Sequence, residues 1–113
     1  MPSYTSDVAV RDGFVETPLF RSRAEKLLSE DDLAALQTML MLRPDAGDVI
    51  RGSGGVRKVR VPAKGKGTRG GGRVIYFWVQ ADGQIFLLFA YAKNERANVT
   101  PNEACMLRAC AGL

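Results

Sequence analysis

Histidine is absent from the chain. Its absence removes the usual general base at neutral pH, the commonest metal ligand, and nucleophile systems of the Ser-His or Cys-His kind. Acidic residues are missing from a whole segment, Arg51 to Arg73, so the clustered carboxylates of a two-metal nuclease are not expected there. Cysteine is scarce. Cys105 and Cys110 are the only two, and five residues apart on a helix they would point to different faces. That spacing suits neither a disulfide nor zinc, so both are expected to be buried or half-buried thiols in a reducing cytosol. No apolar run approaches the roughly 18 residues that cross a bilayer, and Met1 to Asp12 lacks the apolar stretch of a signal peptide. A soluble, cytoplasmic protein with no metal and no small-molecule cofactor is the expectation. Any hydrolytic chemistry is expected to rest on Lys, Arg and Tyr.

The chain has 113 residues, of which 46% are hydrophobic and 25% charged. This is the length of one domain and the composition of a packed globular one. A domain of this size buries roughly 65% of its unfolded surface, enough for a core without disulfides. The net charge of +4 is modest, but its placement is uneven. Arg51, Arg57, Lys58, Arg60, Lys64, Lys66, Arg69 and Arg73 crowd one segment. The remainder carries eight basic residues against all 12 acidic ones and is net negative. Charge concentrated in this way suits a polyanion such as nucleic acid; a solvated basic loop is the plainer alternative.

Residues 1–12 read as a loose leader and residues 13–113 as the single domain. Gly13 to Glu16 resembles a short strand. Thr17-Pro18 then starts a helix to about Leu28, with Thr17 as cap and Pro18 at the first helical position; Phe20, Ala24, Leu27 and Leu28 form its apolar face. Ser29 caps a second helix whose first turn, Glu30-Asp31-Asp32, complements the helix dipole. Leu33, Leu36, Met39 and Leu40 make its stripe, and Arg43-Pro44 ends it. Pro44 to Asp48 and Gly52 to Gly55 read as turns. Strands are expected over Val56–Val61, Arg73–Val79 and Ile85–Lys93, the last two joined by a hairpin at Ala81-Asp82-Gly83. Thr100-Pro101-Asn102-Glu103 has the form of a capping box opening a C-terminal helix. The fold class is therefore α+β, with two N-terminal helices packed on a small, mostly antiparallel sheet and a closing helix.

The glycine-rich run Lys64-Gly65-Lys66-Gly67-Thr68-Arg69-Gly70-Gly71-Gly72 has the look of a phosphate loop. It fails in detail, because Gly67 separates Lys66 from Thr68 and a strand follows where a helix is needed. A basic loop that grips nucleic-acid phosphates through Lys64, Lys66 and Arg69, with Arg57 beside them, fits better. On the strand Val56–Val61, alternation puts Lys58 and Arg60 on one face and Val59 and Val61 on the other. Two cations on a strand backed by a core suit phosphate binding. Arg73 adds a third at the start of the next strand, and Tyr91 and Lys93 share a face at the end of the last. Tyr76, Phe77 and Trp78 are assigned to the core rather than to base stacking.

Several ordered motifs resemble the HigB branch of the RelE/ParE toxin superfamily. They are Leu42-Arg43-Pro44-Asp45-Ala46-Gly47-Asp48-Val49-Ile50, Gly52-Ser53-Gly54-Gly55-Val56-Arg57-Lys58-Val59-Arg60, Lys64-Gly65-Lys66-Gly67 with Arg69-Gly70-Gly71-Gly72-Arg73-Val74-Ile75-Tyr76, and Tyr91-Ala92-Lys93-Asn94-Glu95. The resemblance runs from about Phe14 to the C-terminal helix. It implies two helices on a small sheet, ribosome-dependent cleavage of mRNA, and a HigA-like helix-turn-helix antitoxin that also represses the operon. In such toxins the RNA's own 2′-hydroxyl attacks the adjacent phosphate while cationic side chains stabilise the developing charge. Lys58 and Arg60 match the paired basic positions of the active strand and Arg73 the arginine of the next one. On that resemblance Lys58 is the base and the arginines are electrostatic clamps. The family's tyrosine after the last strand is replaced here by Thr100, with Tyr91 and Lys93 as the candidates to stand in for it.

Two other classes remain open on the residues alone. One is a ParE-like poison of DNA gyrase that shares the fold and cuts nothing, against which the Lys58-Val59-Arg60 pair favours an RNA site. The other is a non-catalytic RNA- or DNA-binding module.

Overall fold

The computed structural model describes residues 13–63 and 71–113, and the backbone of residues 9–11. Among these residues the elements follow in the order β1 (Ala9–Arg11), β2 (Phe14–Glu16), α1 (Pro18–Leu27), α2 (Glu30–Leu42), β3 (Asp48–Val49), β4 (Arg57–Val61), β5 (Gly72–Val79), β6 (Gln84–Ala92) and α3 (Pro101–Cys110). The strands form one sheet in the order β1-β2-β6-β5-β4-β3. All its pairs are antiparallel except β2 with β6, where Phe14, Val15 and Glu16 run parallel to Ile85, Phe86 and Leu87. The domain is thus α+β with a mixed, mostly antiparallel sheet, as its sequence leads one to expect.

Local chemistry sets the helix ends. The Thr17 hydroxyl accepts from the Phe20 N–H at 3.2 Å, and lies 3.2 Å from the Leu87 and Leu88 carbonyls, to which it donates. One residue therefore caps α1 and ties it to β6. Ser29 with Asp32, and Thr100 with Glu103, form reciprocal capping boxes at α2 and α3. Gly83, at φ +77°, makes the β5–β6 turn in a conformation side chains avoid.

The sheet is covered on both faces. On one, Phe20, Ala24 and Leu28 of α1 and its C-cap, with Leu36 and Leu40 of α2, pack on Val61, Val74, Tyr76, Leu87 and Ala90. On the other, Ala104 and Ala111 of the C-terminal segment pack with Val15, Val56, Ile75, Phe86, Leu88, Tyr91 and Val99. Each large buried side chain stabilises the fold by roughly 1.5–3 kcal/mol relative to exposure. Tyr76 is fully buried, with Phe77 and Trp78 partly so, which agrees with their assignment to the core.

Three expectations need correction. Ala9–Arg11, inside the stretch read as a loose leader, pairs with β2 as an edge strand. Asp48-Val49, at the end of a stretch read as a turn, pairs with Lys58 and Arg57. Both strands are held by tertiary pairing and are too short to leave a periodic signal. Cys105 and Cys110 are exposed free thiols rather than buried ones, because α3 turns only a narrow stripe to the sheet.

Candidate functional site

A cleft of about 470 Å³ opens where β3, β4 and β5 meet the loop before α3. That volume falls within the range of small-ligand sites, about 300–1,000 Å³. Its lining is charged on one side and small on the other. Lys58, Val59 and Arg60 come from β4, Arg73 from β5, Ala46 and Asp48 from the approach to and start of β3, and Ala97 and Asn98 from the loop.

The β4 alternation aims the cations. Val59 and Val61 pack into the α1/α2 core, so Lys58 and Arg60 emerge on the opposite face. Register extends the row: Arg60 is paired with Arg73, and Arg73 with Tyr91. Two arginines directly opposite each other across neighbouring strands repel. The Arg73 guanidinium also donates to the Gly72 carbonyl at 3.0 Å. The Lys58 ammonium donates to the Asn98 side-chain oxygen at 3.1 Å, which draws it across the mouth of the cleft.

The loop carrying Asn98 is itself clamped. Arg96 donates to both Glu103 carboxylate oxygens, at 2.6 and 2.7 Å, and to the Asn98 carbonyl at 3.0 Å. Glu103 also accepts from the Thr100 N–H at 2.8 Å. The Arg96 guanidinium, followed by that backbone N–H, holds the Glu103 carboxyl down at about 2. On the far side of the loop, Glu95 pairs with Arg23 and accepts from the Ala92 N–H at 2.7 Å. That N–H bond and Arg23 lower its carboxyl, while Arg23 also donates to the Ala90 carbonyl at 2.9 Å. Glu95 of the Tyr91–Glu95 motif therefore folds the turn after β6 onto α1.

The fixed approach to Asp48 comes from Gly47. A Cβ there would lie 2.8 Å from the Lys58 carbonyl oxygen and 2.8 Å from Cε1 of Tyr76, so only glycine fits. The Gly47 N–H donates to the Tyr76 hydroxyl at 2.8 Å, and that hydroxyl donates to the Pro44 carbonyl at 2.8 Å. Burial raises the Tyr76 phenol, partly countered by the Gly47 N–H.

The sequence candidates separate into groups. Lys58, Arg60 and Arg73 come together in the cleft. Tyr91 lies in the same cross-strand row but beneath it, fully buried, with a hydroxyl that has no hydrogen-bond partner among the described residues. Burial raises this phenol, with Arg73 and Arg96 pulling the other way, and the Arg96 guanidinium lies 5.8 Å from its ring centre. Lys93 is exposed in the turn after β6 and does not line the cleft. Arg57 is one residue out of phase with Lys58; it donates to the Gly47 and Asp45 carbonyls at 2.8 and 3.3 Å and braces the loop. Lys64, Lys66 and Arg69 lie outside the described residues. Thr100 is engaged as the cap of α3.

Asp48, Arg96 and Asn98 are the residues that sequence reasoning missed. Asp48 sits in the turn-like end of a motif, and Asn98 reaches Lys58 across 40 residues, a contact no local pattern carries. Among the described residues no group of three His, Cys, Asp or Glu is placed to hold a metal, and no helix is long and apolar enough to cross a membrane. A protein-family model described as RelE toxin of RelE / RelB toxin-antitoxin system matches residues 19–113.

Proposed function

Because the chain belongs to the RelE toxin family of toxin–antitoxin systems, whose members generally cleave mRNA, we propose that it is a ribosome-dependent, metal-independent mRNA endonuclease of the HigB branch. Its cleft takes the scissile phosphate of an mRNA held in the decoding site. The neighbouring 2′-hydroxyl attacks phosphorus, and Arg60, Arg73 and Lys58 hold the charge that builds on the phosphoryl oxygens. Arginine suits this work because its planar fork matches two oxygens at once and keeps its charge.

The observation that carries this reading is the convergence of three cations from two paired strands on one cleft of about 470 Å³. The rigidity of the support counts as well, since β4 and β5 are backed by core on the other face. The donor set favours chemistry without a metal: the chain lacks histidine, and the described residues offer no ligand cluster. RelE-family toxins pair with antitoxins; for this chain the proposed partner is HigA-like, and the proposed compartment is the cytoplasm, where ribosomes are.

The test is mRNA cleavage by the purified protein with and without programmed ribosomes. Cleavage only with ribosomes, lost by about 10²-fold or more in Lys58→Ala, Arg60→Ala and Arg73→Ala with the fold intact, is the expected result. No cleavage in either condition overturns the reading and makes inhibition of gyrase supercoiling the next assay.

A further inference from the structure

The RNA reaction needs a group that takes a proton from the 2′-hydroxyl, and the cations of the cleft are poorly suited to it. Arginine keeps its proton throughout the physiological range, and lysine is ordinarily protonated at neutral pH. An ammonium is a donor only, and the Lys58 ammonium is already donating to Asn98. Asn98 is a neutral amide, and Ala46, Val59 and Ala97 have no titratable group. Among the described lining residues one side chain is left with a lone pair free to accept a proton, Asp48.

The placement of Asp48 fits that task. It is the register partner of Lys58, so the two side chains emerge on the same face of the β3–β4 ladder. It is exposed at the cleft wall. Its backbone is anchored on both sides. Gly47 is wedged against the Lys58 carbonyl and the Tyr76 ring and bonded to the Tyr76 hydroxyl, and Val49 pairs with Arg57. A catalytic group carried on paired backbone is held more closely than one on a free loop.

We propose that Asp48 is the general base of this cleft and that the Lys58 ammonium is its general acid. This rests on the nuclease reading and assigns the proton transfers within it. As the 2′-oxygen bonds to phosphorus, its proton moves to the Asp48 carboxylate. The bond from phosphorus to the 5′-oxygen breaks, and that oxygen takes a proton from Lys58. The products are a 2′,3′-cyclic phosphate and a 5′-hydroxyl, and proton exchange with water restores the carboxylate and the ammonium. The assignment reverses the role the family resemblance gives Lys58, and gives an acid to a site whose tyrosine position is filled by Thr100.

The experiment compares single-turnover cleavage on programmed ribosomes for two mRNAs, one ordinary and one with sulfur in place of the scissile 5′-oxygen. Thiolate leaves without a proton, so loss of the acid is masked on the sulfur substrate while loss of the base is not. Asp48→Asn is expected to slow cleavage of both mRNAs by about 10²- to 10⁴-fold, the range of general acid–base help. Lys58→Ala is expected to slow the ordinary mRNA and to recover by at least about tenfold on the sulfur one. Asp48→Glu keeps the carboxylate and is expected to regain part of the rate. Melting curves accompany each variant, and Asp48→Ser serves if Asp48→Asn does not fold. Asp48→Asn within about threefold of wild type, or rescue of it by sulfur, overturns the assignment alone. A wild-type protein that cuts neither mRNA overturns the nuclease reading and this assignment together.

Discussion

Tyr76 and Tyr91 are both fully buried, and replacing each with phenylalanine is expected to have opposite consequences. The Tyr76 hydroxyl accepts from the Gly47 N–H and donates to the Pro44 carbonyl, both at 2.8 Å. Tyr76→Phe keeps the ring in the core and removes both bonds, leaving a buried N–H without a partner. A net hydrogen bond contributes about 1 kcal/mol, and a buried donor left unpaired costs about 1–3 kcal/mol. The expected loss is therefore about 2–4 kcal/mol, which lowers the melting temperature of a domain this size by roughly 8–16 °C. The Tyr91 hydroxyl has no hydrogen-bond partner among the described residues, so Tyr91→Phe removes a desolvated group and no bond. Its stability is expected to stay within about 1 kcal/mol of wild type or to rise, and its cleavage rate is expected to hold, because the hydroxyl is buried beneath the cleft. Urea titrations followed by circular dichroism read both variants. Equal losses, or a Tyr91→Phe loss above about 1 kcal/mol, refute the reasoning.

Three further outcomes follow from other contacts. Gly47→Ala is expected to cost about 1–3 kcal/mol by overpacking against the Lys58 carbonyl and the Tyr76 ring, and to slow cleavage by shifting Asp48, read by melting and single-turnover assays. Arg57→Ala is expected to lower stability and to slow cleavage in part by loosening the Gly47 loop beside Asp48, whereas Arg60→Ala is expected to slow cleavage with stability nearly unchanged. The lowered Glu103 carboxyl contributes stability that is present above its ordinary value of 4.5 and is lost as pH falls towards about 2. Acid titrations are expected to show wild type losing more stability than Glu103→Gln across that window.

The helices were readable because their causes are local. Thr17-Pro18, the Ser29 to Asp32 turn and the Thr100 to Glu103 box each carry their caps within four residues. The β5–β6 hairpin was readable for the same reason. β1 and β3 were not, since two or three residues acquire strand geometry only from the strand alongside. The parallel placement of β2 against β6 is likewise invisible until both partners are known.

The site divides in the same way. Alternation alone separated Lys58 and Arg60 from Val59, and Arg73 joined them through register with Arg60. Charge alone grouped Arg57 with these cations, although its phase on β4 sends it to the Gly47 loop. Alternation also put Tyr91 on the face of Arg73 but said nothing of depth, and the ring is sealed beneath the cleft by Arg96 and the loop. Asn98 reaches the site from beyond the last strand, and Asp48 from before β4, so only the folded chain brings them to Lys58.

The β2–β6 pairing also bears on the order in which the molecule assembles. The Thr17 hydroxyl finds its carbonyl partners 70 and 71 residues further along the chain. Contacts so distant in sequence carry a larger loop-closure cost than local ones. The cleft likewise waits for Asn98 and for the Arg96 clamp on Glu103, which follow β3 to β6 in the chain. A nascent chain therefore carries β3, β4 and β5 before it carries the Asn98 that meets Lys58 and the Arg96 that clamps the loop.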